Sequence, residues 1–274
     1  MPNKRLGQHF LTDRNILQRI VDALDPAPGD VVLEIGPGRG SLTEQLLASG
    51  LRVIAIEKDR QLAHECGVGS AEFGVGRLSL VLGDALKLDW HALIDAHPGI
   101  PHSALRTPHF KVVGNIPYNI TSPLLDKALS PPLPARVVFL VQAEVADRLA
   151  AVPGSKTYGA LSVSVQAQCR VERLFIVPAG AFTPRPRVRS ALVRVTPLDD
   201  PVIEPGEVPA FRAFVTACFT RRRKQLRNVV MAVTGRSAPV VSAGLAALEL
   251  DPVARPETLG PHAFARLLRW SVRL

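Results

Sequence analysis

The 274-residue sequence predicts an α/β protein in which a doubly wound sheet is followed by a smaller, basic helical region. Three observations carry this prediction. Short apolar strands alternate with amphipathic helices through most of the chain. A glycine-rich turn joins one of the first strands to the helix after it, and the positive charge is concentrated towards the carboxyl terminus. The first two observations predict the sheet, and the third predicts the separate region.

Charge divides the chain into a neutral part and a basic part. Residues 1–169 carry 16 Lys+Arg and 16 Asp+Glu, whereas residues 170–274 carry 17 and 8, so the whole net charge of +9 lies in the second part. This asymmetry favours a polyanionic partner, above all nucleic acid. A basic surface that serves only solubility is the alternative.

Composition also argues against several classes of protein. No run of about 18 apolar residues predicts a transmembrane helix, and the first residues lack the apolar core of a signal peptide. Cys66, Cys169 and Cys218 lie too far apart in sequence to suggest a zinc site or a disulfide framework. Three histidines in the proline-rich loop 97–109 are irregularly spaced, so no metal site is expected. We expect a reduced, cytoplasmic protein.

The glycine-rich turn belongs to a βαβ unit. An apolar strand ends at Gly36, alternating glycines follow at Gly38 and Gly40, and a second strand ends at Glu57. An acidic residue about 20 positions after the turn is suited to binding ribose hydroxyls. The order of strand, glycines, helix, strand and acid predicts a nucleotide-like cofactor.

The glycine spacing bears on which cofactor binds. The dinucleotide pattern G-x-G-x-x-G requires glycine at position 41, where Ser41 stands. Glu34, just before the turn, is placed to meet a cationic or amino-bearing ligand. Both features favour S-adenosylmethionine over NAD, while a dehydrogenase remains an alternative.

Other polar residues follow other predicted strands. Asp84, with Ala85 beside it, ends a third strand, and Asn115 ends a fourth. Ligands collect at the carboxyl ends of the strands in such sheets, so Gly36, Glu57, Asp84 and Asn115 should converge. Asp84 can accept a hydrogen bond from an adenine amino group, and its alternative role is to cap a helix.

The segment Asn115-Ile116-Pro117-Tyr118 combines an amide, a turn proline and a flat aromatic ring. It is suited to holding a planar, hydrogen-bonding substrate such as a nucleobase, and the convergence of strand ends favours this over an ordinary turn. Later in the chain, Phe182 precedes an extended proline-arginine loop containing Arg185 and Arg187. Phe182 and Tyr118 can sandwich a flipped base, although core packing is the commonest fate of phenylalanine.

A proline-rich, acidic stretch from residue 196 to 209 is interpreted as a linker. It divides the chain into domains 1–197 and 198–274, the second of them helical. Five cations of this domain are expected on one helix, where phosphate binding is their natural use: Arg221, Arg222, Arg223, Lys224 and Arg227.

The chain closely resembles the bacterial small-subunit ribosomal RNA adenine dimethyltransferases. The matching segments follow the family order: Gly7–Leu11, Glu34–Gly40, Asn115–Tyr118, Glu144–Leu149, Phe182–Ala191 and Arg221–Asn228. The resemblance implies a Rossmann-like class I methyltransferase domain with a small all-helical C-terminal domain. It also implies S-adenosylmethionine binding by His9, Leu11, Gly36, Gly38, Glu57, Asp84, Ala85 and Asn115. The implied substrate is two adjacent adenosines in the 3′-terminal hairpin of 16S RNA within an assembling small subunit, modified by a monomeric enzyme.

The residues fit this chemistry. The Asn115 side-chain oxygen and the Ile116 carbonyl can accept both N6 hydrogens of adenine, while Tyr118 stacks on the ring, so that catalysis rests on positioning and electrostatics. The alternatives are a large-subunit RNA adenine methyltransferase of the resistance type, a DNA adenine methyltransferase, an NAD dehydrogenase and a non-catalytic RNA-binding assembly factor.

Overall fold

A computed structural model describes residues 9–69, 76–96 and 110–272. The chain forms two compact units: unit 1 is Met1–Ala146 with Glu172–Pro197, and unit 2 is Asp147–Val171 with Leu198–Leu274. The predicted domain boundary at 197/198 coincides with one of the positions at which the chain leaves one unit and enters the other. Segment 147–171, which the sequence patterns assign to the first domain, belongs to unit 2. The physical reason is that its Tyr158 and Val163 are buried in the same core as Phe211.

The strands carry the site, and their bounds are as follows: β1 (Phe10–Leu11), β2 (Val31–Ile35), β3 (Arg52–Glu57), β4 (Leu78–Leu82), β5 (Phe110–Asn115), β6 (Arg136–Gln142), β7 (Cys169–Val177), β8 (Phe182–Thr183) and β9 (Ser190–Pro197). Seven of them form one sheet in the order β4-β3-β2-β5-β6-β9-β7. Strands β4, β3, β2, β5 and β6 are parallel, and β9 is antiparallel to β6. The strand order reverses at β2, so a crevice is expected beside the ends of β2 and β5.

Helices connect these strands. Their bounds are α1 (Arg14–Ala23), α2 (Ser41–Ala48), α3 (Arg60–Gly69), α4 (Trp90–Asp95), α5 (Thr121–Ala128) and α6 (Ala143–Leu149). Helix α1 begins at a side-chain cap, because the Asp13 carboxylate accepts hydrogen bonds from the backbone N–H groups of Asn15 and Ile16. Its apolar face packs with α2 and the sheet in a hydrophobic cluster that includes Leu17, Leu46 and Val113.

Strands β1 and β8 form a separate two-stranded antiparallel ribbon. Phe10 pairs with Thr183 and Leu11 with Phe182, and the backbone N–H of Thr12 donates to the Ala181 carbonyl at 3.0 Å. The ribbon therefore holds the start of the described chain against the segment that precedes β9.

Unit 2 is built from helices: α7 (Ala160–Gln166), α8 (Val208–Phe219), α9 (Leu226–Thr234), α10 (Ala238–Ala247) and α11 (Pro261–Val272). Aromatic side chains occupy its centre, where the Tyr158 hydroxyl donates to the Leu259 carbonyl at 3.0 Å and the Phe219 ring contacts both Tyr158 and Phe264. The C-terminal region is helical, as the sequence predicted. None of the described helices alone has the length and hydropathy to cross a membrane; α9 and α10, which meet at a bend of 117°, reach those limits only as a pair.

Candidate active site

A pocket of about 250 Å³ lies at the carboxyl edge of the unit 1 sheet. Strand register explains its position: Ile35 at the end of β2 pairs with both Ile56 and Gly114, so the residues that follow β2, β3 and β5 lie side by side. Of the residues predicted for the cofactor and the base, all except Phe182 line this pocket: His9, Leu11, Gly36, Gly38, Glu57, Asp84, Ala85, Asn115, Ile116, Pro117 and Tyr118.

The glycine-rich turn forms one wall of the pocket. Gly36, Gly38 and Gly40 have φ angles of 70°, 60° and 87°, in the left-handed region that favours glycine. At Gly38 an added Cβ would lie 3.0 Å from a carbon of the Phe10 ring. The turn is thus close-packed beneath Phe10 and needs glycine for both conformation and space.

The Glu57 carboxylate is buried and held by backbone donors. Its Oε2 accepts from the Gly38 N–H at 3.1 Å, and its Oε1 accepts from the N–H groups of Lys58 and Asp59 at 2.8 and 2.9 Å. These bonds fix the carboxylate in one orientation. Because each carboxylate oxygen has two lone pairs, the group retains capacity to accept from a ligand hydroxyl.

Glu34 is a second buried acid in the lining, only 1% exposed. Burial raises its pKa to about 7 and the nearby Glu57 adds to this rise, while the Thr43 hydroxyl, which donates to Oε2 at 2.7 Å, opposes it. The side chain therefore changes charge near neutral pH. A cationic ligand group in the pocket would favour its ionised form.

Both oxygens of the Asp84 carboxylate have partners. Its Oδ1 accepts from the Leu86 N–H at 3.0 Å, as a cap of the following turn, and its Oδ2 pairs with the Lys58 ammonium at 2.9 Å. The hydrogen bond from Lys58 is the largest cause of the lowered pKa of Asp84. The ion pair with Lys58 was missed by the sequence reasoning; the only signal was a lysine directly after Glu57.

Asn115 is fixed by the start of the described chain. Its side-chain Nδ2 donates to the backbone carbonyl of His9 at 2.7 Å. A carbonyl can only accept, so the amide nitrogen must face His9 and the side-chain oxygen must face elsewhere. Gly114, just before Asn115, permits the close pairing of β2 with β5, because a Cβ there would lie 2.7 Å from the Ile35 carbonyl oxygen.

The residues after Asn115 turn sharply. The Ile116 N–H donates to the Leu140 carbonyl at 3.0 Å, and among the described residues no donor contacts the Ile116 carbonyl oxygen. Pro117 leads into a short 3₁₀ turn, Tyr118–Ile120. The Tyr118 ring is half-buried in the pocket lining, and its hydroxyl lies 2.8 Å from the Ser190 hydroxyl.

Phe182 lies in the hydrophobic core and not in the pocket lining. It is 2% exposed and packs in the same cluster as Leu11, its partner across the ribbon. Pairing of β8 with β1 turns this ring inward, and the role of Phe182 opposite Tyr118 across a base stays a prediction. The His9 ring lies near Tyr118, with 6.0 Å between ring centroids.

The predicted RNA-binding cations fall in two exposed segments. Arg185 and Arg187 lie in the loop between β8 and β9, as expected. Arg221, Arg222, Arg223 and Lys224 do not lie on a helix: α8 ends at Phe219, turns follow, and α9 begins at Leu226, so that only Arg227 is helical. Cations that follow the C-terminus of a helix interact favourably with the helix dipole, so the run is electrostatically compatible with its place after α8.

The histidine-containing loop 97–109, and Gly7 and Gln8 of the first matched segment, lie outside the described residues. Within the described ranges, no group of three or more His, Cys, Asp or Glu side chains could hold a metal ion.

Comparison with known proteins agrees with this geometry. The model of the ribosomal RNA adenine dimethylase family matches residues 2–245. The chain belongs to this family. It is therefore a methyltransferase, and its parallel sheet with the glycine-rich turn at the switch point is the family's Rossmann-like domain.

Named relatives cover nearly the whole chain. A ribosomal RNA small subunit methyltransferase A from Nitratidesulfovibrio vulgaris is 43% identical over 96% of this chain and 94% of its own length. The protein of the same name from Pseudomonas aeruginosa is 42% identical, over 96% and 92%.

Solved structures are similar as well. A dimethyladenosine transferase from Plasmodium falciparum has a TM-score of 0.79 at 26% identity, covering 94% of this chain and 96% of its own. The 23S rRNA methyltransferase ErmE has a TM-score of 0.72 at 26% identity, covering 95% and 98%.

Proposed function

We propose that this methyltransferase transfers methyl groups from S-adenosylmethionine to N6 of two adjacent adenosines in the 3′-terminal hairpin of 16S ribosomal RNA. Its substrate is the assembling small subunit in the cytoplasm, and it acts as a monomer. The observation that carries the proposal is the oriented Asn115 amide, whose oxygen is left to accept from a substrate amino group, beside the Tyr118 ring in the same pocket. The names of the relatives support the small subunit as the target.

The lining fits S-adenosylmethionine. In the proposed complex Glu57 accepts from ribose hydroxyls, Asp84 and Ala85 contact the adenine, and Gly36 and Gly38 allow close approach of the backbone. All of these residues line one pocket. Buried Glu34 is a carboxylate that a cationic group would hold ionised. His9 and Leu11 complete the wall. When bound, the cofactor supplies a methyl group activated by its sulfonium sulfur.

The base side of the pocket works by positioning. Adenine N6 is a poor nucleophile because its lone pair is delocalised into the ring. Asn115 Oδ1 and the Ile116 carbonyl accept its two hydrogens, which favours a pyramidal nitrogen with its lone pair available for attack. Pro117 holds the turn rigid, and Tyr118 stacks on the ring. Two acceptors facing one amino group also select adenine over bases that present a carbonyl at the same position.

Two cationic segments are proposed to bind RNA phosphates. Arg185 and Arg187 lie in a loop whose ends are attached to pocket residues, since the His9 ring Nδ1 donates to the Pro184 carbonyl at 2.8 Å and Ser190 contacts Tyr118. The unit 2 segment consists of Arg221, Arg222, Arg223, Lys224 and Arg227, all exposed. Unit 2 as a whole holds 14 Lys+Arg against 8 Asp+Glu, so this segment adds to a basic background.

The decisive experiment measures transfer of labelled methyl groups to undermethylated small subunits by the wild-type chain and by Asn115→Ala. We expect the variant to lose about 10²–10³-fold in rate, the scale for removing one preorganised electrostatic contact, while its thermal unfolding stays close to wild type. The matched control is Asn15→Ala, which removes an exposed amide on α1. Near-normal activity of Asn115→Ala would refute the role of the amide.

The second candidate function is that of a large-subunit RNA adenine methyltransferase, which the similarity to ErmE favours. Mapping the methylated adenosines on both ribosomal RNAs distinguishes it from the proposed function. Methylation of 23S RNA alone would replace the proposed substrate by that of the resistance-type enzymes. Absence of transfer by the wild-type chain would favour a non-catalytic assembly factor.

A further inference from the structure

Ser190 does not line the pocket, but its hydroxyl contacts a residue that does, Tyr118. Ser190 is the first residue of β9 and is 1% exposed. Its hydroxyl oxygen lies 2.8 Å from the Tyr118 hydroxyl, a good hydrogen-bond distance. No other described donor or acceptor contacts the Tyr118 hydroxyl. The orientation of this ring is therefore tied to one buried serine.

The backbone around Ser190 is rigid. Ser190 pairs with Gln142 in the antiparallel ladder between β6 and β9, and the preceding residue, Arg189, accepts a hydrogen bond from the Ala143 N–H at 2.9 Å. Tyr118, in contrast, stands at the start of a short 3₁₀ turn with its ring half-buried. A tyrosine side chain on a turn can swing about its Cα–Cβ bond, and a hydrogen bond at the hydroxyl restricts this swing and so fixes where the ring lies.

We propose that Ser190 is a positioning residue for the target base: its hydroxyl holds the Tyr118 ring in the position from which the ring stacks on adenine. This inference rests on the proposed function, in which Tyr118 stacks on the base. The arginine loop, residues 185–189, ends directly at Ser190, so the same residue links the RNA-contacting segment to the ring that holds the base.

Kinetics on undermethylated small subunits test the proposal through a double-mutant cycle of Ser190→Ala and Tyr118→Phe. Each variant removes the same hydrogen bond, so each should lower kcat/KM by about 3–10-fold, the range for one hydrogen bond. The double variant should be no worse than either single variant. The affinity for S-adenosylmethionine should stay at the wild-type value in all three.

The matched control is Ser162→Ala. Ser162 is also fully buried, and its hydroxyl donates to the Arg148 carbonyl at 2.5 Å within unit 2. If the buried hydroxyl at 190 only stabilises the fold, both serine variants lower the unfolding temperature and neither changes kcat/KM. That result would overturn the proposal, as would losses that add in the double variant.

The pH at which Tyr118 ionises gives a second readout, and it would not change if Ser190 only stabilised the fold. The chain has two tyrosines, so Tyr118 is the only one in a Tyr158→Phe background. Burial raises the pKa of Tyr118 and the hydrogen bond with Ser190 lowers it. Ser190→Ala should therefore shift the ultraviolet phenolate titration to higher pH, and an unchanged titration would show that the bond is not formed in solution.

Failure of the inference and failure of the proposed function are distinguishable. If the wild-type chain methylates small subunits and Ser190→Ala does so equally well, only the role of Ser190 falls. If the wild-type chain transfers no methyl group, the proposed function falls with it. Should Ser190→Ala fold poorly, Tyr118→Phe still tests the bond without altering β9, and full activity of that variant overturns the proposal.

Discussion

The two sides of the pocket are held together in different ways. On the cofactor side, the Glu57 carboxylate is fixed by the backbone N–H groups of Gly38, Lys58 and Asp59, which lie 19, 1 and 2 residues away in sequence. On the base side, Asn115 is held by a residue 106 positions away and Tyr118 by one 72 positions away. The cofactor side is thus encoded by a short βαβ unit, whereas the base side depends on tertiary assembly.

This difference predicts a functional separation. The turn and acids of the cofactor side keep their geometry as long as β2 and β3 pair. The polar groups of the base side are oriented only when the β1–β8 ribbon and β9 are in place. Changes to the base-side hydrogen bonds should therefore lower the rate of methyl transfer more than cofactor affinity, and changes to Glu57 or the glycine-rich turn should lower cofactor affinity most.

Apart from Asn115→Ala, the largest effect is expected for Asn115→Asp. The substitution keeps the shape of the side chain, but an ionised carboxylate cannot donate to the His9 carbonyl, and one of its oxygens would face that carbonyl at about the present 2.7 Å. Repulsion should turn the group away from its productive orientation and lower the transfer rate by about 10²-fold, comparable to the loss of an oriented electrostatic contact. The measurement is labelled methyl transfer to small subunits, with cofactor affinity determined separately.

Asn15→Asp is the control, because it makes the same change of charge at an exposed position in the first turn of α1, where a negative charge is tolerated. If Asn115→Asp transferred methyl groups at the wild-type rate, the hydrogen bond to the His9 carbonyl would not be needed to orient the side chain at position 115. The contrast between the two sides of the pocket would then be wrong.

Sequence patterns were sufficient for the parts of the site that local structure determines. The strand ends at Ile35, Glu57 and Asn115 can be predicted from apolar runs and from the glycines that interrupt them. Parallel pairing then brings these ends to the carboxyl edge of the sheet. Glycine at position 38 could likewise be anticipated, because a tight turn before a helix requires positive φ.

The features that sequence reasoning missed are those created by long-range packing. Nothing near Ser190 indicates that its hydroxyl meets Tyr118, and nothing near Phe182 indicates that a two-residue ribbon with β1 buries its ring. The assumed helix over the arginine run was wrong although Arg and Lys have good helix propensity: α8 ends at Phe219, so propensity alone did not decide this segment. Segment 147–171 belongs to unit 2 because of long-range packing as well, since Tyr158 is buried in the core of that unit.

A second prediction concerns the pH dependence that Glu34 gives to the cofactor side. Its pKa in the folded chain is raised from 4.5 to about 7, so its contribution to stability is fully present below pH 4.5 and is lost as pH rises through about 7. Relative to Glu34→Gln, the wild-type chain should lose about 3 kcal/mol of unfolding free energy across this interval and change little above it. Denaturant unfolding at pH 4.5, 6, 7 and 8, without cofactor, measures the difference.

Cofactor affinity provides the matching test. If a cationic part of S-adenosylmethionine favours ionised Glu34, wild-type affinity should increase between pH 6 and 8, and Glu34→Gln should not show this increase. Parallel pH profiles of the two proteins would contradict the raised pKa and remove Glu34 from the cofactor side.

The smallest effect, and the sharpest comparison of local geometry, is expected for Gly38→Ala set against Gly50→Ala. Both glycines have positive φ, 60° and 81°, so each substitution costs about 1–2 kcal/mol of backbone strain. At Gly38 the new methyl group would also lie 3.0 Å from the Phe10 ring, whereas at Gly50 no atom lies within 4 Å.

Both variants should therefore unfold at lower denaturant concentration, but only Gly38→Ala should lose cofactor affinity, by about tenfold for a displacement costing about 1.4 kcal/mol. Calorimetric titration with S-adenosylmethionine measures this. Equal affinities would show that the turn beneath Phe10 does not contact the cofactor, and the pocket would then bind it through the acids at the strand ends alone.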